Sequence, residues 1–256
     1  MSPDDLALRA AVRNDDPAAV RAALAGGAGL EHRDEHERTA LLVAAAGNRV
    51  AAAEALVAAG ADPNARDDRE DTPWLITGVT GSVPMMRVLL AADPAPDVTL
   101  TNRFGGVSPI PAAERGHVDY VRAVLRATDI DVDHVNGLGW TALLEAVILG
   151  DGGPAHQEIV ELLISAGAAP HLPDHDGVTP LRHAERRGFH EIAGLLAAVR
   201  RAGDPAVRAA GRGPPSRRRA GAGGSGRAWA GRAGRDGAPR GRGHRPGRRS
   251  ARSTRS

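Results

Sequence analysis

Apolar and polar positions alternate along this chain in short blocks with a helical period. In the clearest block, Ile159, Leu162, Leu163 and Ala166 fall at i, i+3, i+4 and i+7, which places them on one stripe of a helix. Gly167, directly after the stripe, supplies the left-handed residue that ends such a helix. Upstream, Thr141 stands where an N-cap accepts a backbone N–H, and Ala142, Leu143 and Ala146 give the helix behind it a thin apolar face. The stretch from Gly137 to Ala168 therefore reads as a turn, two short helices and a second turn. A helix pair this short cannot bury both of its faces alone and needs a similar neighbour on each side.

The same grammar recurs. Thr39-Ala40-Leu41, Thr72-Pro73-Trp74, Thr141-Ala142-Leu143 and Thr179-Pro180-Leu181 each open a helix, and a further copy near Val107-Ser108-Pro109 is located by counting back from Gly116-His117. The spacings are 33, 35, 34 and 38 residues. A period near 33 with a Thr-Pro-Leu opening resembles the ankyrin repeat. Gly60-Ala61-Asp62-Pro63-Asn64 and Gly167-Ala168-Ala169-Pro170 match the turn after the second helix, and Glu114-Arg115-Gly116-His117 matches the turn between helices. The later repeats, with Asn102-Arg103-Phe104-Gly105-Gly106 and an insertion around Gly150 to His156, resemble small bacterial ankyrin proteins in particular. The resemblance covers roughly residues 3 to 200. It implies an all-α solenoid of stacked helix-turn-helix units with short β-hairpin or loop tips.

Six repeats are expected within residues 1–202, the first and last acting as caps with polar outer faces. Leu6 to Val12 and Ala18 to Leu24 make the first pair, and helices near Ala40 to Ala46 and Ala51 to Ala59 the second. Trp74 takes the place of a core Leu in the third repeat, with Met85 and Met86 filling gaps around it. Pro-stiffened or lengthened turns follow at Asp93 to Asp97 and Thr128 to Asp133. In the fifth repeat the insertion lengthens the turn between helices on the rim away from the tips, as a tolerated excursion or a second contact site.

Charge divides the chain in two. Residues 1–202 hold 18 Arg against 29 Asp and Glu, a difference of −11, while residues 203–256 hold 15 Arg against 2 Asp, a difference of +13. The second stretch is dominated by Arg, Gly, Ala and Pro, shows no periodic apolar face, and is expected to be a disordered basic tail. Three accounts of it stay open. Arg217-Arg218-Arg219, Arg240-Gly241-Arg242 and Arg248-Arg249 fit salt-dependent binding of nucleic acid or another acidic partner; the tail fits an electrostatic return onto the acidic repeats; and its abrupt composition fits an out-of-frame extension of a GC-rich gene. The chain has no cysteine, and the acidic start at Asp4 and Asp5 is unlike a signal peptide, so a cytoplasmic monomer is expected.

Catalytic signatures are lacking in the sequence: no Gly-rich phosphate loop after a strand, no nucleophile elbow, no His-Glu-x-x-His helix. The expectation is a non-enzyme without a cofactor. His171 and His175 are four apart, but in a Pro-containing turn rather than a helix, so turn polarity accounts for them better than metal binding. An interaction surface has more support. The ankyrin resemblance implies that tips and first helices line a concave groove that selects a protein partner. Its candidates are Arg66, Asp68 and Arg69, then Asn102, Arg103 and Phe104, then Asn136, Leu138 and Trp140, then Asp174, His175 and Asp176, with Glu145 on a first helix facing the same side. Phe104 and Trp140 are the aromatic anchors of that set, although Trp140 fits packing between adjacent tips equally well.

Overall fold

The computed structural model describes residues 2–203, and the regular structure within them is entirely helical. Six helix pairs follow one another: α1 (Pro3–Arg13) with α2 (Pro17–Ala25), α3 (Ala40–Ala46) with α4 (Val50–Ala58), α5 (Pro73–Thr80) with α6 (Val83–Leu90), α7 (Pro109–Glu114) with α8 (Val118–Ala127), α9 (Ala142–Ile148) with α10 (Pro154–Ser165), and α11 (Pro180–Arg187) with α12 (His190–Gly203). The Thr caps act as the pattern predicts. Thr39, Thr72, Thr141 and Thr179 accept from the backbone N–H of Leu42, Leu75, Leu144 and Arg182 at 3.2, 3.1, 3.2 and 3.4 Å. Repeat four has Val107 in the Thr position and no side-chain cap on α7, which is the shortest described helix.

Each first helix packs on the first helices of adjacent repeats, in the order α1, α3, α5, α7, α9, α11, and each second helix does the same along α2, α4, α6, α8, α10, α12. The first helices can come close because their facing side chains are small: Ala44, Ala45, Ala112, Ala113 and Ala146 are fully buried. At Gly78 even a methyl group is excluded, since a Cβ there would stand 2.0 Å from the carbonyl oxygen of Ser108. Larger side chains fill the seam between the two helix layers, with Trp74, Leu41, Leu56, Met85, Met86, Leu89, Leu143, Ile159 and Leu163 among the fully buried ones. Each contributes about 1.5–3 kcal/mol relative to exposure. Trp74 is thus a core residue. Beside it, Thr77 donates to the Trp74 carbonyl at 2.6 Å and is left to accept from the Tyr120 hydroxyl at 2.7 Å. Burial pushes that phenol up to about 12.

The tips are loops; no strand occurs among the described residues. One device closes all five. Asp34, Asp67, Asn102, Asn136 and Asp174 each stand five residues before the Thr position, and each Oδ1 accepts the backbone N–H groups of the second and fourth residues that follow, at 2.8–3.1 Å. Main-chain bonds then link neighbouring tips: Asp68 N–H to His36, Arg103 N–H to Arg69 and Gly137 N–H to Phe104. The predicted basic tail lies outside the described residues. Among those residues no helix is long and apolar enough to cross a membrane.

Candidate partner-binding groove

The tips of repeats three to five and the helices α5, α7 and α9 below them enclose an open cavity of about 440 Å³. Arg69 and Asp71 line it from the first tip, Asn102, Arg103, Phe104 and Gly106 from the second, and Asn136 and Leu138 from the third. The helices add Ile76 and Val79, then Ile110, Pro111, Glu114 and Arg115, then Glu145 with Leu149 just beyond it. Six large apolar side chains stand exposed among the described residues, Leu6, Val79, Phe104, Val135, Leu138 and Leu149, and four of them line this one cavity. That convergence separates it from the 220 Å³ hollow at the first two repeats, whose lining of Asp5, Arg9, Arg13, His32, Asp34, Glu35 and Arg38 includes none of the six.

Phe104 reaches the surface because Asn102 holds the turn beneath it, accepting from the Phe104 N–H at 3.0 Å. Its ring, 57% exposed, carries the Arg103 guanidinium over one face at 4.7 Å. Arg115 is held at the opposite wall by the Glu114 carboxylate at 2.7 Å and the Pro111 carbonyl at 3.1 Å. Asp71 has its carboxyl raised above the ordinary value, mainly by burial and then by the charge of Asp67, with Arg103 and Arg69 partly offsetting the rise.

Glu145 forms the floor. It is 5% exposed, and its Oε1 accepts from Asn136 Nδ2 at 2.9 Å. Burial, reinforced by the nearby Glu114 charge and only partly countered by Asn136 and Arg115, pushes its carboxyl up to about 7. The corresponding positions, four residues after the Thr position, hold Val43, Ile76 and Pro111 in repeats two to four, and His183, bonded to Asp174 at 2.7 Å, in repeat six. Glu145 is the one carboxylate at this register.

Of the residues singled out from sequence, the cavity gathers Arg69, Asn102, Arg103, Phe104, Asn136, Leu138 and Glu145. The remaining six lie elsewhere along the tips. Arg66 faces Glu70 at 3.4 Å, and its carbonyl accepts from Arg33. Asp68 meets His36 at 3.3 Å. Trp140 is half-buried, with its backbone N–H given to Asn136 Oδ1. Asp174 holds its own tip, the His175 ring covers Gly139 so closely that a Cβ there would come within 2.4 Å, and Asp176 is exposed. Besides Asp71, Ile76, Gly106, Ile110 and Pro111, sequence reasoning missed four residues as lining, Val79, Glu114, Arg115 and Leu149. They stand seven or eight residues after the Thr position, a register that continues the face of Glu145 and gave the available signal.

The insertion is tied down. His156 is buried, with Nδ1 2.8 Å from Asp151 and Nε2 3.0 Å from the Glu114 carbonyl. Arg187 donates to the carbonyls of Ile148 and Gly150, and the Phe189 ring lies against Gly152.

Stacked helix pairs whose tips are closed by a recurring Asx residue, with a shaped hollow along the first helices, define a repeat-type scaffold. Residues 7–102 and 110–209 match the family described as ankyrin repeats in three copies, and the chain belongs to that family. Ankyrin repeats are in general protein–protein interaction modules. The chain is 52% identical over 104 residues to the ankyrin repeat protein YahD of Escherichia coli K12, covering 41% of this chain and 52% of that one. It is 35% identical over 82 residues to protein phosphatase 1 regulatory subunit 27 of Mus musculus, covering 32% and 50%. The chain spans about half the length of these curated relatives. Among solved structures, an ankyrin repeat domain from Acinetobacter baumannii is 48% identical with a TM-score of 0.70, covering 75% of this chain and 96% of that one. The ankyrin repeat domain of Bcl-3 is 25% identical with a TM-score of 0.67, covering 75% and 85%.

Proposed function

We propose that the array binds a partner protein through the groove of repeats three to five, without catalysing a reaction. The observation that carries this reading is the convergence of Val79, Phe104, Leu138 and Leu149, four exposed apolar side chains, on a cavity rimmed by charged tips. Aromatic and aliphatic anchors ringed by polar groups are the usual composition of a binding hot spot. One relative supports the reading in kind, since the mouse protein is named a regulatory subunit of a phosphatase.

The test uses the whole chain as bait in an affinity capture with identification of the bound protein. Phe104→Ala combined with Leu138→Ala is expected to weaken the captured partner at least about thirtyfold. The melting temperature should hardly move, because both side chains are more than half exposed. Capture that survives the double substitution overturns the reading.

A second reading rests on the Arg clusters Arg217 to Arg219, Arg240 to Arg242 and Arg248 to Arg249, which suit phosphate neutralisation. Under it, residues 203–256 bind nucleic acid or an acidic partner independently of the groove.

A further inference from the structure

We infer that Glu145 is a cation-recognising subsite of the groove, and that the partner segment inserts a lysine or arginine side chain there while its neighbouring apolar side chain rests on Phe104 and Leu138. This inference rests on the groove reading and adds to it the chemistry of what enters.

The first ground is that Glu145 is a buried carboxyl with no salt-bridge partner among the described residues, the Arg115 charge only partly offsetting its burial. Among the described residues the carboxyl's one hydrogen bond is from the neutral donor Asn136 Nδ2 to Oε1; Oε2 receives no donor and is not among the fully enclosed unpaired atoms, so it stays open to the cavity. Burying a carboxylate in this state is unfavourable, and an apolar residue at the same register serves the fold in repeats two to four. A partner that brings a positive charge to Oε2 removes that penalty.

The cations and acids around Glu145 are otherwise engaged. At the end of α7, Arg115 is bound to Glu114 and to the Pro111 carbonyl, and Glu114 adds negative charge. From α10, His156 is bound to Asp151 and the Glu114 carbonyl, and Glu158 to Arg122, while Glu161 is exposed. From α11, His183 is bound to Asp174, Arg187 to the carbonyls of Ile148 and Gly150, and Arg182 to Glu185, while Arg186 is exposed. Across the cavity, Arg103 lies over the Phe104 ring and Asp71 adds a second partly buried acid.

The second ground is charge complementarity. Residues 1–202 carry a difference of −11 between 18 Arg and 29 Asp and Glu, so the field of the array draws basic segments toward it and repels acidic ones. The third is shape. The exposed Phe104, Leu138 and Leu149 side chains are suited to the aliphatic stem of a lysine or arginine whose head reaches the floor.

The test is a selection of phage-displayed random dodecapeptides on the full-length protein at about pH 8, followed by affinity measurement on synthetic peptides. Peptides whose binding is lost in Phe104→Ala or Leu138→Ala are groove binders. Those are expected to share a lysine or arginine next to an apolar residue. Replacing that basic residue by norleucine should weaken binding about tenfold or more to the native chain, and far less to Glu145→Gln, which keeps the acceptor for Asn136. Affinity for the native chain should rise severalfold as pH climbs through about 7, where Glu145 becomes charged, and Glu145→Gln should remove the rise. Groove binders without a basic residue, or with affinity that falls as pH climbs, overturn this inference and leave the groove reading standing. Selection that yields no peptide sensitive to Phe104 or Leu138 overturns both.

Discussion

Asn136 shows how much a single amide does here. Its oxygen accepts from the Leu138 and Trp140 N–H groups and closes the tip, while its NH₂ is left for Glu145, a contact that the aspartates at the equivalent positions Asp34, Asp67 and Asp174 have no N–H to make. The sequence reading placed Asn102, Asn136 and Asp174 in the groove because they sit at the tips. Their turn-closing role lies in the recurrence of Asx five residues before each Thr position, a register that tip placement alone does not reveal. Glu145 was legible as a concave residue of a first helix. Its burial was not, because that depends on how closely the tips and α7 approach it. The consequence is measurable as stability. Folded Glu145 keeps its proton up to about pH 7, whereas the unfolded chain releases it near 4.5, so the folded state holds more protons between those values and loses stability as pH rises through them. Glu145→Gln should remove this slope. Relative to the native chain it should be nearly neutral at about pH 4.5 and more stable at about pH 8, by on the order of 1 kcal/mol because the open groove still admits water. Urea denaturation at the two pH values measures it.

At the scale of elements, the helices were the most legible part. The Thr caps and the apolar stripes carry short-range information, and α3 falls at Ala40–Ala46 as the pattern predicts, while α4 begins one residue earlier than expected, at Val50. Loops were less legible, since a tip that forms hairpin strands and one closed by side-chain oxygens have similar sequences. The insertion around Gly150 to His156 reads from sequence as a tolerated excursion or a second contact site; that its His156 is a buried bridge to α7 is visible only with the neighbouring repeat in place. Close helix approach depends on the neighbour in the same way. Gly78→Ala would gain about 1 kcal/mol from helix propensity alone. The clash of its Cβ with the Ser108 backbone should reverse the sign and destabilise the array by about 1–3 kcal/mol. Gly194→Ala, which meets nothing within 4 Å in α12, should instead be neutral or slightly stabilising. Chemical denaturation of the two variants side by side checks the contrast.

At the scale of the molecule, the stacking of helix pairs followed from periodicity, whereas the location of the hollow did not, because every tip carries polar residues and only the assembled array shows where the exposed apolar ones meet. The opposed charges of residues 1–202 and 203–256 belong to this scale too. If the tail binds nucleic acid, a gel shift with the full chain should weaken steeply between low and moderate salt, and a chain ending at residue 202 should give no shift. Equal shifts from both would take the tail out of the functional account.

Each repeat leans on its immediate neighbours, so the middle of the array is held from both sides and its ends from one. The groove draws its walls from three consecutive repeats in that middle. A segment lodged there would act as a splint across two inter-repeat joints, so occupancy would stiffen the centre while leaving both ends free to fray.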